Sequence, residues 1–175
     1  HNYEANASSL CRLAVVAQSK EELKEKSELL LKYTEAPDSK ALISLETKGI
    51  FYREGTGVKQ EQIALLFSGQ ASQYPNMFSG LYNRYPLFQQ LYQDADTFWQ
   101  KKYGHSVSSL IFSEKEEAQA TEILRSTQNT HPAIFISNFA MFQLLKQMGL
   151  RSSYLIGHSL GEICALAASE VLSFR

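Results

Sequence analysis

The sequence predicts an α/β protein in which a parallel sheet follows a small α+β unit. Three observations carry that reading. The stretch Gln62-Ile63-Ala64-Leu65-Leu66-Phe67 is a continuous apolar run ended by Ser68-Gly69, as expected of a strand buried on both faces of a parallel sheet. Tyr154-Leu155-Ile156 repeats the pattern near the C-terminus, and a glycine-flanked turn follows it directly. Between and behind these strands the apolar residues return at helical spacing, so the order is strand, helices, strand, turn, helix.

Composition narrows the function. The 175 residues carry 44% hydrophobic and 20% charged residues, enough apolar surface for a buried core. Lys and Arg number 17 against 18 Asp and Glu, a net charge of -1, so no basic field draws in a nucleic-acid backbone. Cys11 and Cys164 are far apart in sequence and make neither a disulfide framework nor a zinc-type ligand cluster, and no metal site is expected. No apolar run reaches the length of a membrane span and residues 1–30 lack the pattern of a signal peptide. A soluble, cytoplasmic protein is the expectation.

Along the chain, residues 1–9 are small and polar, and Leu10 to Ala17 read as a strand with β-branched Val15 and Val16. Ser19 and Glu22 form a capping box for a helix with Leu23, Leu30 and Leu31 on one face, stopped by Ala36-Pro37-Asp38-Ser39. Strand-like pieces follow around Leu42–Leu45 and Ile50–Arg53, bounded by Gly49, Gly55 and Gly57. Residues 1–58 are thus set apart as a small α+β subdomain, and a larger α/β domain occupies 59–175. In the latter, Pro86 opens a helix through Trp99 that Gly104 stops. A second capping box, Ser113 with Glu116, opens a charged helix to about Arg125. Pro132 to Met148 is apolar nearly all the way round, which predicts a buried helix capped by Gly149.

The chemistry concentrates in Gly157-His158-Ser159-Leu160-Gly161. A Gly-x-Ser-x-Gly turn between a buried strand and a helix puts the serine on a tight elbow, because small residues on both sides let the backbone cross closely. The hydroxyl of Ser159 then projects at the carboxyl edge of the sheet as a nucleophile. N–H groups at the start of the following helix converge where an oxyanion would form. His158 is adjacent to the nucleophile, but neighbours on a sharp elbow point to different sides, which favours a positioning hydrogen bond or plain packing over the role of general base. Neither His131 nor His105 is identified as a base by its spacing. A second constellation, Gly69-Gln70-Ala71-Ser72-Gln73, follows the first buried strand and could bring the N–H of Gln70 to the same edge; alone it reads first as an ordinary polar turn.

Taken together, Phe67-Ser68-Gly69-Gln70-Ala71-Ser72-Gln73, Thr130-His131-Pro132-Ala133 and Gly157-His158-Ser159-Leu160-Gly161-Glu162, in this order, resemble the acyltransferase family. That family includes the malonyl-CoA:acyl carrier protein transacylases and the acyltransferase domains of polyketide and polyunsaturated fatty acid synthases. Residues 63–175 are similar to its N-terminal half, and residues 10–57 resemble the small linker unit between a ketosynthase and an acyltransferase. The resemblance implies an α/β-hydrolase-like core truncated after the nucleophile helix. It implies that Ser159 takes an acyl group, of malonyl type, from coenzyme A as an ester and passes it to the phosphopantetheine thiol of an acyl carrier protein. The N–H groups of Gln70 and Leu160 would form the oxyanion hole, with Gly157, His158 and Gly161 shaping the elbow and His131 on the substrate side. No cofactor is bound directly in this reading; coenzyme A enters as the thioester donor. Ala71 stands where the family commonly has Gly, and His131 where a Gln is usual.

The family's catalytic His and its carboxylate-binding Arg lie beyond Arg175, so the expectation is a fragment of a longer synthase, with the ketosynthase and the remaining acyltransferase half as partners in the same parent chain, or a chain completed by a separate segment. Two other readings stay open. A serine esterase or lipase of α/β-hydrolase type shares the elbow but resolves its acyl-enzyme with water. A non-catalytic linker or docking fragment would draw on residues 10–57.

Overall fold

The computed structural model describes residues 11–35, 39–54 and 63–173. The chain divides into two units, His1–Val58 and Lys59–Arg175.

In the first unit, β1 (Cys11–Val15) pairs antiparallel with β2 (Ile50–Glu54), Val15 opposite Ile50 and Cys11 opposite Glu54. Between them in sequence lie α1 (Lys20–Glu35) and α2 (Ser39–Thr47). The capping box at Ser19 forms with a one-residue shift. Ser19 Oγ accepts the Glu22 N–H at 3.1 Å, while Glu22 Oε2 accepts the N–H of Gln18 at 2.6 Å. Lys26, 2.7 Å from the Glu22 carboxylate, and the Gln18 N–H hold that carboxyl below its usual range.

The expected strand at Leu42–Leu45 is instead part of α2. Ile43 and Leu45 would share one face of a strand, yet Leu45 is buried and Ile43 is 65% exposed, as two residues 200° apart on a helix must be. The helix gives way to β2 through Gly49, whose φ of 74° suits a residue without Cβ. The stop at Ala36-Pro37-Asp38 and the boundary glycines 55 and 57 lie outside the described residues.

In the second unit, β3 (Ala64–Phe67) and β4 (Tyr154–Gly157) pair in parallel, Ala64 opposite Tyr154 and Phe67 opposite Gly157. Among its described residues are six helices: α3 (Ser79–Arg84), α4 (Pro86–Tyr103), α5 (Val107–Ile111), α6 (Glu117–Arg125), α7 (Thr127–Gln147) and α8 (Leu160–Ala168). Phe88 and Tyr92 of α4, Ile111 of α5, Leu124 of α6 and Ile136 and Ala140 of α7 make the main core. A second cluster, Phe67, Cys164 and Ala168 with Leu65, Phe142 and Leu155, packs one face of β3 and β4 against α7 and α8. Gly104 (φ 79°) and Gly149 (φ 90°) end α4 and α7 as their positions require.

Three expectations are corrected here. The strands are covered on one face only: Phe67 is buried, whereas Leu66 is 76% and Ile156 51% exposed, so period-2 alternation decides burial in strands whose sequence is apolar throughout. Ser113 does not cap α6. It lies too far from Glu117, and its hydroxyl accepts the N–H of Lys115 at 3.2 Å, closing a turn before the helix starts. Finally, α7 begins at Thr127, placing Pro132 inside the helix. The extra turn is anchored on the end of α6: Asn129 Nδ2 donates to Ile123 O at 2.9 Å, and the Thr130 hydroxyl donates to Leu124 O. The short helices α3 and α5 carry no apolar period long enough to read from sequence. Among the described residues no helix is long and apolar enough to cross a membrane.

Candidate active site

Parallel pairing of β3 with β4 decides where the two sequence motifs meet. Because Phe67 is paired with Gly157, both strands end together, and Ser68-Gly69 and His158-Ser159 leave from the same edge. The His158 N–H reaches across to Phe67 O at 3.3 Å and extends the ladder by one bond. Ser159 follows with φ 56° and ψ -121°, a conformation that L-residues rarely adopt, and it is the N-cap of α8. The turn is closed by Gly161 N–H to His158 O at 2.9 Å and Glu162 N–H to Ser159 O at 3.0 Å. Ser159 is exposed, at the turn that leaves the end of β4.

The glycines around it are there for space. A Cβ at Gly157 would lie 2.3 Å from the Glu162 nitrogen and from Gly161, and one at Gly161 would lie 2.1 Å from Phe67 O. Both sites are closed to any side chain, so the first and last glycines let the elbow cross β3 and its own helix. Gly69 obeys the same rule: a Cβ there would lie 2.5 Å from His158 O and 3.2 Å from Ser159 Cβ. The loop after β3 therefore runs directly against the elbow, and Gln70 is the next residue along it. His158 Nδ1 would lie 3.4 Å from that Cβ, so its imidazole is turned toward Gly69.

The loop is braced at several points. Gln73 Oε1 accepts the Ala71 N–H at 2.9 Å, and Ser72 Oγ donates to Gly69 O at 2.8 Å. Ala71 itself has φ 81°, in the left-handed region that a glycine would occupy without strain. From α7, Asn138 Nδ2 donates to Ser68 O at 2.9 Å and also lies 3.8 Å from Cys164 Sγ on α8. The Cys164 thiol is fully buried, and burial pushes its pKa up, which keeps it in the neutral form.

A cavity of about 730 Å³ opens between α4, α7 and Leu160, the first residue of α8. Its wall is mostly apolar, with Ala95, Phe98, Trp99, Phe135 and Ile136, and includes His131 and Leu160. Half-buried His131 is thus placed on the wall that also holds Leu160, the residue whose N–H follows Ser159. Phe98 is 61% exposed and lines this space. Asn138 went unnoticed, since a lone Asn on an apolar helix carries no motif. His105 stands apart, its Nδ1 3.2 Å from Tyr103 O. Among the described residues no group of three or more His, Cys, Asp or Glu is placed to hold a metal ion.

The chain matches the acyl transferase domain family over residues 64–174, more than half its length. It is 39% identical over 114 residues to the malonyl CoA-acyl carrier protein transacylase of Bacillus subtilis, covering 65% of this chain and 33% of that protein. Over 117 residues it is 32% identical to the probable polyketide synthase 44 of Dictyostelium discoideum, covering 67% of this chain but 4% of the synthase. Among solved structures, the acyltransferase domain from the second module of the salinomycin polyketide synthase superposes with a TM-score of 0.70 at 28% identity. That match covers 93% of this chain and 34% of that one. The chain spans about a third of the length of the transacylase and a small part of the synthase. With the glycine-flanked serine elbow standing against the loop after β3, and a family match that runs from β3 through α8, this chain belongs to the acyl transferase domain family.

Proposed function

We propose that Ser159 is the acyl-carrying nucleophile of a coenzyme A to carrier protein acyltransferase, and that these residues form the nucleophile-bearing part of an α/β-hydrolase-like catalytic domain. One observation carries the reading. The Ser159 backbone is held at φ 56° and ψ -121° on a strand–helix elbow that packs against Gly69. Strain of this kind is maintained by the two glycine contacts and serves to lift one hydroxyl clear of the sheet.

In the first half-reaction Ser159 Oγ attacks the thioester carbonyl and its proton passes to a general base. The N–H groups of Gln70 and Leu160 receive the developing oxyanion. Collapse breaks the C–S bond, and coenzyme A leaves as the thiol after taking the proton back. In the second half-reaction the phosphopantetheine thiol of a carrier protein attacks the Ser159 ester, and the serine hydroxyl is restored. A thioester donor and a thiol acceptor differ little in free energy, so the exchange is ping-pong and needs no energy input. Gly157, His158 and Gly161 hold the elbow, and His131 borders the acyl group.

We place the general base and any carboxylate clamp outside these 175 residues, in the part of the relatives that the chain does not span. Residues 1–58 are read as the linker subdomain that precedes the catalytic domain, with a ketosynthase as its neighbour in the parent chain. Malonyl is the acyl group to test first, because the transacylase relative is named for it.

The test is a chase. The full-length protein containing these residues is loaded with radiolabelled malonyl-CoA, freed of excess donor, and mixed with holo carrier protein or with buffer. Label should pass to carrier protein at least tenfold faster than to water. Equal loss in both would replace the transferase reading with that of an esterase.

A further inference from the structure

The carbonyl of the peptide that joins Gly69 to Gln70 is held by the side chain of Ser72, and the carbonyl before it by Asn138 of α7. Ser72 Oγ donates to Gly69 O at 2.8 Å and lies 2.9 Å from Ser68 Oγ. In a trans peptide the C=O and the following N–H point in opposite directions. Anchoring the Gly69 carbonyl on Ser72 therefore aims the Gln70 N–H away from Ser72.

The preceding peptide is fixed just as firmly. Ser68 O accepts Asn138 Nδ2 at 2.9 Å, and the Ser68 hydroxyl donates to Asn138 Oδ1 at 3.3 Å. A carbonyl can only accept and the hydroxyl must then donate, so the amide orientation of Asn138 is set by its partners. Ser68 O also lies 3.0 Å from where a Cβ of Gly161 would stand, so α8 closes the space on its other side. Two consecutive peptides are thus pinned between α7, α8 and Ser72, with both hydroxyls and the carboxamide used.

We propose that Asn138 and Ser72 are positioning residues that set the direction of the Gln70 N–H toward the acyl oxygen on Ser159. The inference rests on the acyltransferase reading above. Neither side chain touches the reacting atoms; each acts through a backbone carbonyl. An oxyanion donor works through direction as much as presence, since it must meet charge that develops only in the transition state. Loss of either anchor frees the peptide to rotate, which slows acylation without weakening binding of the donor. Ser72 is exposed and its removal leaves no hole in the core.

The test compares single-turnover acylation of the full-length protein by radiolabelled malonyl-CoA in wild type, Ser72→Ala, Ser72→Thr and Asn138→Asp. The last puts an acceptor against Ser68 O in place of a donor at nearly constant volume. Ser72→Ala and Asn138→Asp should lower the maximal acylation rate by about tenfold to a hundredfold, with half-saturation within about twofold and the thermal midpoint of Ser72→Ala unchanged. Ser72→Thr, which keeps the hydroxyl, should come within about threefold of wild type. Rates equal to wild type in both Ser72→Ala and Asn138→Asp would overturn the proposal, as would losses that appear only in half-saturation. Absence of label on Ser159 in the wild type would overturn the acyltransferase reading itself, a result distinct from either.

Discussion

Ser159 and Ala71 both hold positive φ, 56° and 81°, in the two turns that meet at the sheet edge, but for different reasons. At Ser159 the strain is locked by Gly157 and Gly161, where any Cβ would come within 2.3 Å of backbone, and it exposes a hydroxyl. At Ala71 nothing described requires a methyl group, so the left-handed conformation is simply unfavourable there. Ala71→Gly should stabilise the protein by about 1 kcal/mol, because relief of the strained φ exceeds the extra chain entropy of glycine. Chemical denaturation of the two proteins measures it; a destabilised variant would show that the Ala71 methyl makes a contact that matters. At this scale the sequence was most legible where the determinant is local. Two glycines and a serine within five residues announce an elbow, because each glycine answers a contact within the same turn or with the paired strand. Asn138 could not be seen, since its partners Ser68 and Cys164 are remote in sequence and come together only when α7 docks on the sheet.

Helices with caps and long apolar periods were legible as elements, and α4 runs from Pro86 to the left-handed Gly104 as its sequence indicates. Short or alternating segments were not. The Ile43 and Leu45 alternation looks like a strand until burial is assigned, and the apolar runs of β3 and β4 conceal that one face of each is open. Between α4 and α7 lies a polar contact that hydropathy also hides: Tyr92 OH and Ser137 Oγ are 2.8 Å apart and buried. Burial pushes the Tyr92 phenol up to about 12, outweighing the opposing effect of the Ser137 contact, with Asp96 adding to the rise. A raised phenol pKa favours the neutral form in the folded state, so this contribution is full below pH 10 and is lost as pH climbs toward 12. Tyr92→Phe should cost about 1–2 kcal/mol at pH 7 by leaving the Ser137 hydroxyl without its partner. It should also flatten the fall in stability between pH 10 and 12. Urea melts at pH 7 and 11 check both, and an unchanged slope in the variant would remove Tyr92 as the group responsible.

The chain separates into two units, and both described core clusters lie in the second. Phe88, Tyr92, Ile111, Leu124, Ile136, Ala140 and Leu144 all lie within Lys59–Arg175. Residues 59–175 expressed without 1–58 should therefore melt in one cooperative step, with a thermal midpoint within a few degrees of the longer chain's. A broad, non-cooperative melt would mean that the first unit supplies part of that core. Fold class and family were legible at this scale because strand, turn and helix recur in a fixed order; the exposed faces of Leu66, Tyr154 and Ile156 were not, since sequence hydropathy does not say which side of a strand is covered.

The proposed role of Ser159 as acyl carrier is open to a direct test by intact-mass spectrometry. The full-length protein is incubated briefly with malonyl-CoA, its mass is measured, and the modified peptide is sequenced. The expected result is a mass increase of one malonyl group, mapped to Ser159, stable to thiol reductant as an oxygen ester should be, and absent in Ser159→Ala. A malonyl group found on any other residue, or one that persists in Ser159→Ala, would contradict it.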